Sequence, residues 1–197
     1  MFNRKTIVLL ILSLISSIAI AQEPKQELGP MIGAKIPHDL TMMTTNGKIE
    51  NYKNLSGENG LAIFFVRSFD WCPYCQTQAK DVNARAADFQ SRDINPVFIS
   101  YDTPDIQKNF YDRWQFVVPI LSDPQSEVIK AFDILNTDGV SEDSPIFGFP
   151  HPIVFIVGTD GTIRDKLYIE SETQINGSSY KERPPIDDIL AAIDELK

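Results

Sequence analysis

Cysteine, histidine and tryptophan are each nearly absent from this chain, with two of each among 197 residues. Two cysteines cannot staple a disulfide-rich scaffold, and a chain of this length can build a core without staples. Two histidines, His38 and His151, stand far apart, and there is no second Cys-x-x-Cys, so no four-ligand zinc pattern is present. Basic charge is also scarce. Lys and Arg number 18 against 27 Asp and Glu, and the formal charge of −9 argues against non-specific nucleic-acid binding by the whole molecule. With 10 Gly, 13 Pro and 43% hydrophobic residues, collagen-like, coiled-coil and wholly disordered readings fall away. No internal repeat is visible, and the length suits one domain.

Residues 1–21 stand apart from the rest. Arg4 and Lys5 precede an apolar run from Ile7 to Ile20, closed by the small-x-small pattern Ala19-Ile20-Ala21. A basic start, a short apolar core and a small-residue site describe a signal peptide. The run falls short of the ~20 residues needed to span a bilayer. No Cys follows it, which disfavours a lipid-anchored form, and no membrane association is expected after cleavage. Removing 21 of the 197 residues leaves 176, and losing Arg4 and Lys5 moves the charge from −9 to −11. The expectation is an exported protein, periplasmic if bacterial and otherwise secreted, in a thiol-permissive compartment.

Residues 22–35 are polar and punctuated by Pro and Gly, and read as an arm; the domain is expected to occupy residues 36–197. Residues 39–45, Asn46-Gly47 and residues 48–52 suggest a hairpin around a two-residue turn. Residues 61–67 are almost continuously apolar, as in a strand buried on both faces. Cys75, Ala79, Val82, Ala86 and Phe89 then recur at helical spacing. Further strands are expected at 96–101, 117–121, 153–157 and 162–169. Thr103-Pro104 and Asp123-Pro124 each resemble an N-cap followed by a first-turn proline, and Pro185 opens a last helix. Residues 136–150 read as a loop. Alternating strands and helices ending in a hairpin and a helix predict an α/β domain on a mixed sheet.

The chemistry lies in Trp71-Cys72-Pro73-Tyr74-Cys75, between a buried strand and an amphipathic helix. Both thiols fall on one turn and can close a small disulfide ring. Cys72 lands at the helix start, where free N–H groups and the helix dipole stabilise a thiolate. Cys75 falls on the apolar seam. An exposed attacking Cys72 and a buried resolving Cys75 are therefore expected. Haem attachment would require a His after the second Cys, and Gln76 stands there. A purely structural role would restrict the unfolded chain little, because the loop is so short.

With this motif in place, the sequence resembles the thioredoxin-like superfamily, and within it the peroxiredoxin-like branch (alkyl hydroperoxide reductase/thiol-specific antioxidant, AhpC/TSA). Gly33-Ala-Lys-Ile-Pro37-His-Asp-Leu40, Asn46-Gly47-Lys48, Pro119-Ile-Leu-Ser-Asp-Pro124, Val128-Ile-Lys-Ala-Phe132 and Phe155-Ile-Val-Gly-Thr-Asp160-Gly161 follow its order. The resemblance implies a thioredoxin-like fold with an N-terminal β-hairpin extension. It also exposes departures. The Thr or Ser that peroxiredoxins place three residues before the peroxidatic Cys is Phe69, and an Arg expected before the late strand is Pro152. Pro152 instead resembles the cis-proline of thioredoxin-like oxidoreductases, which would bring His151 near the sulfurs. The buried Asp of thioredoxins is replaced by Val66, which leaves the proton acceptor for Cys75 unassigned.

These readings predict an exported thiol–disulfide oxidoreductase with catalytic Cys72 and Cys75. Trp71, Pro73, Tyr74, His151 and Pro152 would contact substrate, and Arg67 or His151 would tune the thiolate, unless Arg67 pairs with Asp70. The alternatives are a thiol peroxidase, with Cys72 peroxidatic and Cys75 resolving, and a non-enzymatic redox sensor or binding module. No cofactor beyond the Cys72–Cys75 couple and no metal are expected. Partners would be a thiol or disulfide substrate, protein or small molecule, and an unidentified electron donor or acceptor.

Overall fold

A computed structural model describes residues 27–138, 140–172 and 177–196. The signal-peptide reading of residues 1–21 and the first part of the arm lie outside them. Among the described residues, seven strands form one mixed sheet in the order β2-β1-β5-β4-β3-β6-β7. The expected hairpin is present as β1 (Met42–Thr44) and β2 (Ile49–Glu50). At the centre, β3 (Gly60–Phe65) runs parallel to β4 (Ile94–Ser100), which runs parallel to β5 (Ile120–Ser122). On the other side, β6 (Ile153–Val157) lies antiparallel to both β3 and β7 (Ile163–Leu167).

The pleat of β3 explains its unbroken apolar sequence. Ala62 and Phe64 point into a cluster that includes Ala79 and Val82 of α2 (Pro73–Ala84), Phe89 of α3 (Ala86–Gln90) and Ile189 of α6 (Ile186–Glu195). Leu61, Ile63 and Phe65 point the other way, toward Leu55 of α1 (Tyr52–Leu55) and Ile129 of α5 (Glu127–Ala131). Successive strand residues face opposite sides, so a strand covered on both must be apolar throughout. Gly60 opens β3 at φ +124°, where an added Cβ would lie 2.0 Å from the Val157 carbonyl oxygen. Only glycine permits that approach.

Several boundaries differ from the sequence expectation. The periodic face from Cys75 to Phe89 is buried, but the helix breaks at Arg85 (φ −109°, ψ 18°) into α2 and α3. Arg85 at that break pairs with Asp88 and with Asp187 on α6. The Thr103 cap is present ahead of α4 (Pro104–Arg113). Asp123-Pro124 does not open α5; Ser126 takes a left-handed φ of 56° and the helix begins at Glu127. Asp123 still accepts from the N–H groups of Glu127 (2.8 Å) and Ile129 (2.9 Å), so the capping chemistry survives with a different register. Within the expected arm, Leu28 is buried and Gly33 N–H bonds the Ile163 carbonyl, which draws this segment onto β7.

One buried carboxylate connects the sheet to the loop that carries the cysteines. Asp102, just after β4, accepts from Phe69 N–H (2.7 Å), Ser68 Oγ (2.8 Å) and Ser100 Oγ (2.8 Å). Ser68 Oγ in turn accepts from Asp70 N–H (2.9 Å) and Trp71 N–H (3.3 Å). Burial pushes the Asp102 carboxyl above its usual range, and the bonds from Phe69, Ser68 and Ser100 oppose that rise. Asp102→Ala strands these donors in the core and should lower stability in urea unfolding by roughly 2–4 kcal/mol. Between its ordinary and its raised titration range, the native chain holds a proton that the unfolded chain has released. Stability therefore falls as pH rises through that window. Unfolding measured across pH should show a shallower fall in Asp102→Asn than in the parent chain.

Candidate active site

The first turn of α2 is built by local sequence rules. Cys72 is the N-cap in extended conformation, and its Sγ accepts from the Cys75 N–H at 3.3 Å. Pro73 occupies the first helical position, where a missing N–H costs nothing and its fixed φ suits the helix. Gln76 ties the turn back to the preceding loop by donating to the carbonyls of Phe69 (2.9 Å) and Asp70 (2.8 Å). Cys72 and Cys75 form a disulfide across a Cα–Cα distance of 5.3 Å.

Cys75 is buried at 0% exposure, as its place on the apolar seam predicts. Cys72 is buried too, at 1%, which corrects the expectation of an exposed attacking cysteine. In the closed disulfide, Cys72 Sγ is bonded to the buried Cys75 Sγ. Both residues belong to the apolar cluster with Val66, Phe69 and Ala79, and Trp71 packs against it. A thiol that opens the disulfide at Cys72 must first uncover it.

Arg67 does not pair with Asp70. Its guanidinium lies 4.7 Å from the Trp71 ring centre, 4.5 Å from that of Phe149 and 5.9 Å from that of Tyr180. A planar cation that is weakly hydrated suits such an aromatic surround. Burial nonetheless pulls its pKa down, and its Nε has no hydrogen-bond partner. Trp71 Nε1 donates to Tyr101 Oη at 2.9 Å, so this ring is fixed rather than free at the rim. Tyr74 is exposed and meets exposed Tyr180 edge to face at 6.4 Å.

The peptide bonds of the described residues are all trans, so the cis-proline expected at Pro152 is absent. The trans bond leads directly into β6 at Ile153. His151 is buried, its N–H bonds the Ile134 carbonyl, and its Nδ1 faces the Ser178 N–H at 3.4 Å. Among the described residues no hydrogen bond links it to either sulfur. Burial pulls its pKa down, Asp138 opposes this and Arg67 reinforces it, which favours the neutral ring. Phe69 is a core residue at 2% exposure, packed on Phe110 and Phe98, and Val66 is fully buried.

Arg183 lies outside the expected site residues, and among the described residues it is the side chain that hydrogen-bonds a cysteine sulfur. Its Nη2 lies 3.3 Å from Cys75 Sγ, while Nη1 donates to the carbonyls of Ser179 (3.2 Å) and Glu182 (2.8 Å). Burial, with a smaller contribution from Arg67, lowers its pKa to about 10, so it stays charged at neutral pH. Arg183 and Cys75 lie 108 positions apart, and no local pattern links them. The only pointer in the sequence is Pro184-Pro185, which stiffens the approach to α6. Beside the turn, Tyr74, Gln78, Lys181, Arg183, Pro185 and Ile186 line part of a groove of about 270 Å³. Among the described residues, no group of three or more His, Cys, Asp or Glu could hold a metal ion.

The chain is similar over most of its length to proteins of one family. It is 25% identical over 183 residues to 1-Cys peroxiredoxin PER1 of Zea mays, covering 85% of this chain and 74% of that protein. The solved structure of peroxidoxin BcpB from Mycobacterium tuberculosis superposes with a TM-score of 0.68 at 21% identity, over 87% of this chain and 99% of that one. A cysteine-to-serine mutant of peroxiredoxin 6 from Arenicola marina gives a TM-score of 0.71 at 19% identity, over 85% and 74%. These structures share the fold. The profile of the AhpC/TSA family matches residues 32–166, and the chain belongs to that family.

Proposed function

We propose that this AhpC/TSA protein is a thiol–disulfide oxidoreductase that cycles Cys72 and Cys75 between dithiol and disulfide. The observation that carries the reading is the disulfide closing the first turn of α2 with Cys72 as its N-cap. In the reduced chain, Cys72 thiolate attacks one sulfur of a substrate disulfide, forms a mixed disulfide and releases the other substrate sulfur as a thiolate. Cys75 then attacks Cys72 Sγ, closes the ring and releases the second substrate thiolate. Two electrons pass from the cysteine pair to the substrate, and an external dithiol donor restores them. The opposite direction would oxidise a substrate dithiol.

Trp71, Pro73 and Tyr74 flank the cysteines and are the first candidates for substrate contact; His151 and Pro152, both buried, are the second. Exchange over peroxide reduction is supported by Phe69, whose ring fills the core where peroxiredoxins carry a hydroxyl, and by Pro152 in place of an arginine. A second reading is favoured by the names of the relatives, which are peroxiredoxins. In it, Cys72 thiolate attacks a hydroperoxide and releases an alcohol or water, and Cys75 condenses with the resulting sulfenate, expelling water. Both readings use the same sulfurs in the same order. Residues 1–21 support export of the mature chain.

Cys72→Ser should abolish reduction of an insulin-type disulfide substrate. Cys75→Ser should accumulate a mixed disulfide at Cys72, seen by mass spectrometry. Full turnover in Cys72→Ser would rule the reading out. Hydrogen peroxide or an alkyl hydroperoxide should be consumed at least ~100-fold more slowly than disulfide exchange proceeds, a gap of about 2.7 kcal/mol in barrier height. Faster peroxide consumption with sulfenate at Cys72 would select the second reading. Expressed in full and recovered after export, the chain should begin at Gln22; an intact Met1 in the recovered protein would contradict export by cleavage.

A further inference from the structure

We propose that Arg183 is the positioning residue that holds Cys75 as a thiolate once the disulfide is open, and so supplies the nucleophile for the resolving step. The inference rests on Cys75 being the resolving thiol. A fully buried thiol among apolar side chains resists ionisation, because burial disfavours its charged form. Yet only the thiolate can attack Cys72. Among the described residues no carboxylate hydrogen-bonds it: Val66 stands where the resemblance implies a buried acid, and Asp102 is engaged by Phe69, Ser68 and Ser100.

The guanidinium of Arg183 meets this need by charge rather than by accepting a proton. Its Nη2 stands 3.3 Å from Cys75 Sγ, within reach of a charge-assisted hydrogen bond to a thiolate. Nη1 is fixed by the carbonyls of Ser179 and Glu182, which aims the other nitrogen at the sulfur. The titratable and charged groups around the turn come from every neighbouring element. They are Arg67 and Asp70 on the loop after β3, Tyr74 and Asp81 on α2, Tyr101 and Asp102 after β4, His151 before β6 with Asp138 acting on it, and Tyr180, Lys181, Glu182 and Arg183 before α6. Of these, Arg183 alone hydrogen-bonds Cys75 Sγ among the described residues. Neither Arg67 nor Arg183 has a carboxylate partner there, and the Nε of each is buried without a hydrogen bond.

The disulfide form therefore leaves two guanidiniums without a carboxylate partner among the described residues, in a chain whose formal charge is −9. Opening the ring creates an anion for Arg183 at Cys75. In the resolving step, Cys75 thiolate attacks Cys72 Sγ of the mixed disulfide. The Cys72–Cys75 bond forms, the bond from Cys72 to the substrate sulfur breaks, and the electron pair leaves with that sulfur. The departing thiolate then takes up a proton from water, equivalent to the one that Cys75 had lost.

The test measures Cys75 without turnover, so it stands even if the chain proves to reduce neither disulfides nor peroxides. In Cys72→Ser, thiolate absorbance near 240 nm followed against pH reports ionisation of Cys75. Its midpoint should lie at least tenfold in proton concentration, one pH unit, below the midpoint in Cys72→Ser with Arg183→Gln. Arg183→Lys, which keeps a positive charge, should recover at least part of the difference, as a merely structural role would not. Equal midpoints in Cys72→Ser with and without Arg183→Gln overturn the proposal. If Arg183→Gln fails to fold, Cys72→Ser alone decides: a Cys75 midpoint at or above about 8.5, the value of an unperturbed thiol, overturns it, and a lower one supports it.

Discussion

The placement of both cysteines depends on one buried carboxylate. Asp102 gathers a backbone N–H and two hydroxyls at the end of the sheet, and through Ser68 it holds the N–H groups that lead into the first turn of α2. A buried acid is costly unless its oxygens are filled by donors, and here those donors are the chain segment that carries the chemistry. Cys72 caps the helix because that segment arrives in the right direction. Cys75 reaches the apolar seam because the helix starts where it does. The aromatic surround of Arg67 and the contact from Arg183 close over a turn already fixed from below.

Much of this arrangement was legible in the sequence, where the signals were local. The apolar run of β3, the helical spacing of Cys75, Ala79 and Val82, and the Thr103-Pro104 cap depend on neighbours a few positions apart. The Cys-x-x-Cys turn is local in the same sense. Where a local signal competed with tertiary contacts, the outcome shifted. Asp123 caps α5 from a distance because Ser126 adopts a left-handed turn, and the α2 periodicity breaks at Arg85, which pairs with Asp88 and Asp187. Pro152 matched a pattern that also requires a cis bond, and a pattern of residue types does not encode an isomer.

The exposure of Cys72 and the role of Arg183 could not be read from the sequence for a different reason. Exposure of a helix-capping sulfur depends on how the turn packs into the apolar cluster, and that cluster joins β3, α2 and α6. Arg183 approaches from the chain end opposite the motif, so its neighbour in space is far away in sequence. Two features that bear most on reactivity, access to one sulfur and charge at the other, are therefore tertiary. Family membership supplies the scaffold, while Phe69, in the same apolar cluster as Cys72, stands where the resemblance implies a hydroxyl, and Pro152 stands where it implies an arginine.

Everything proposed for the site requires the Cys72–Cys75 bond to be a working couple. The direct measurement is a redox titration of the folded chain in defined thiol–disulfide buffers, with alkylation and mass spectrometry reporting the state of both cysteines. A working couple gives a reversible two-electron transition at a potential above about −300 mV while the fold persists. A bond that resists reduction below that potential, or that opens only as the chain unfolds, would mark the disulfide as structural and contradict the account.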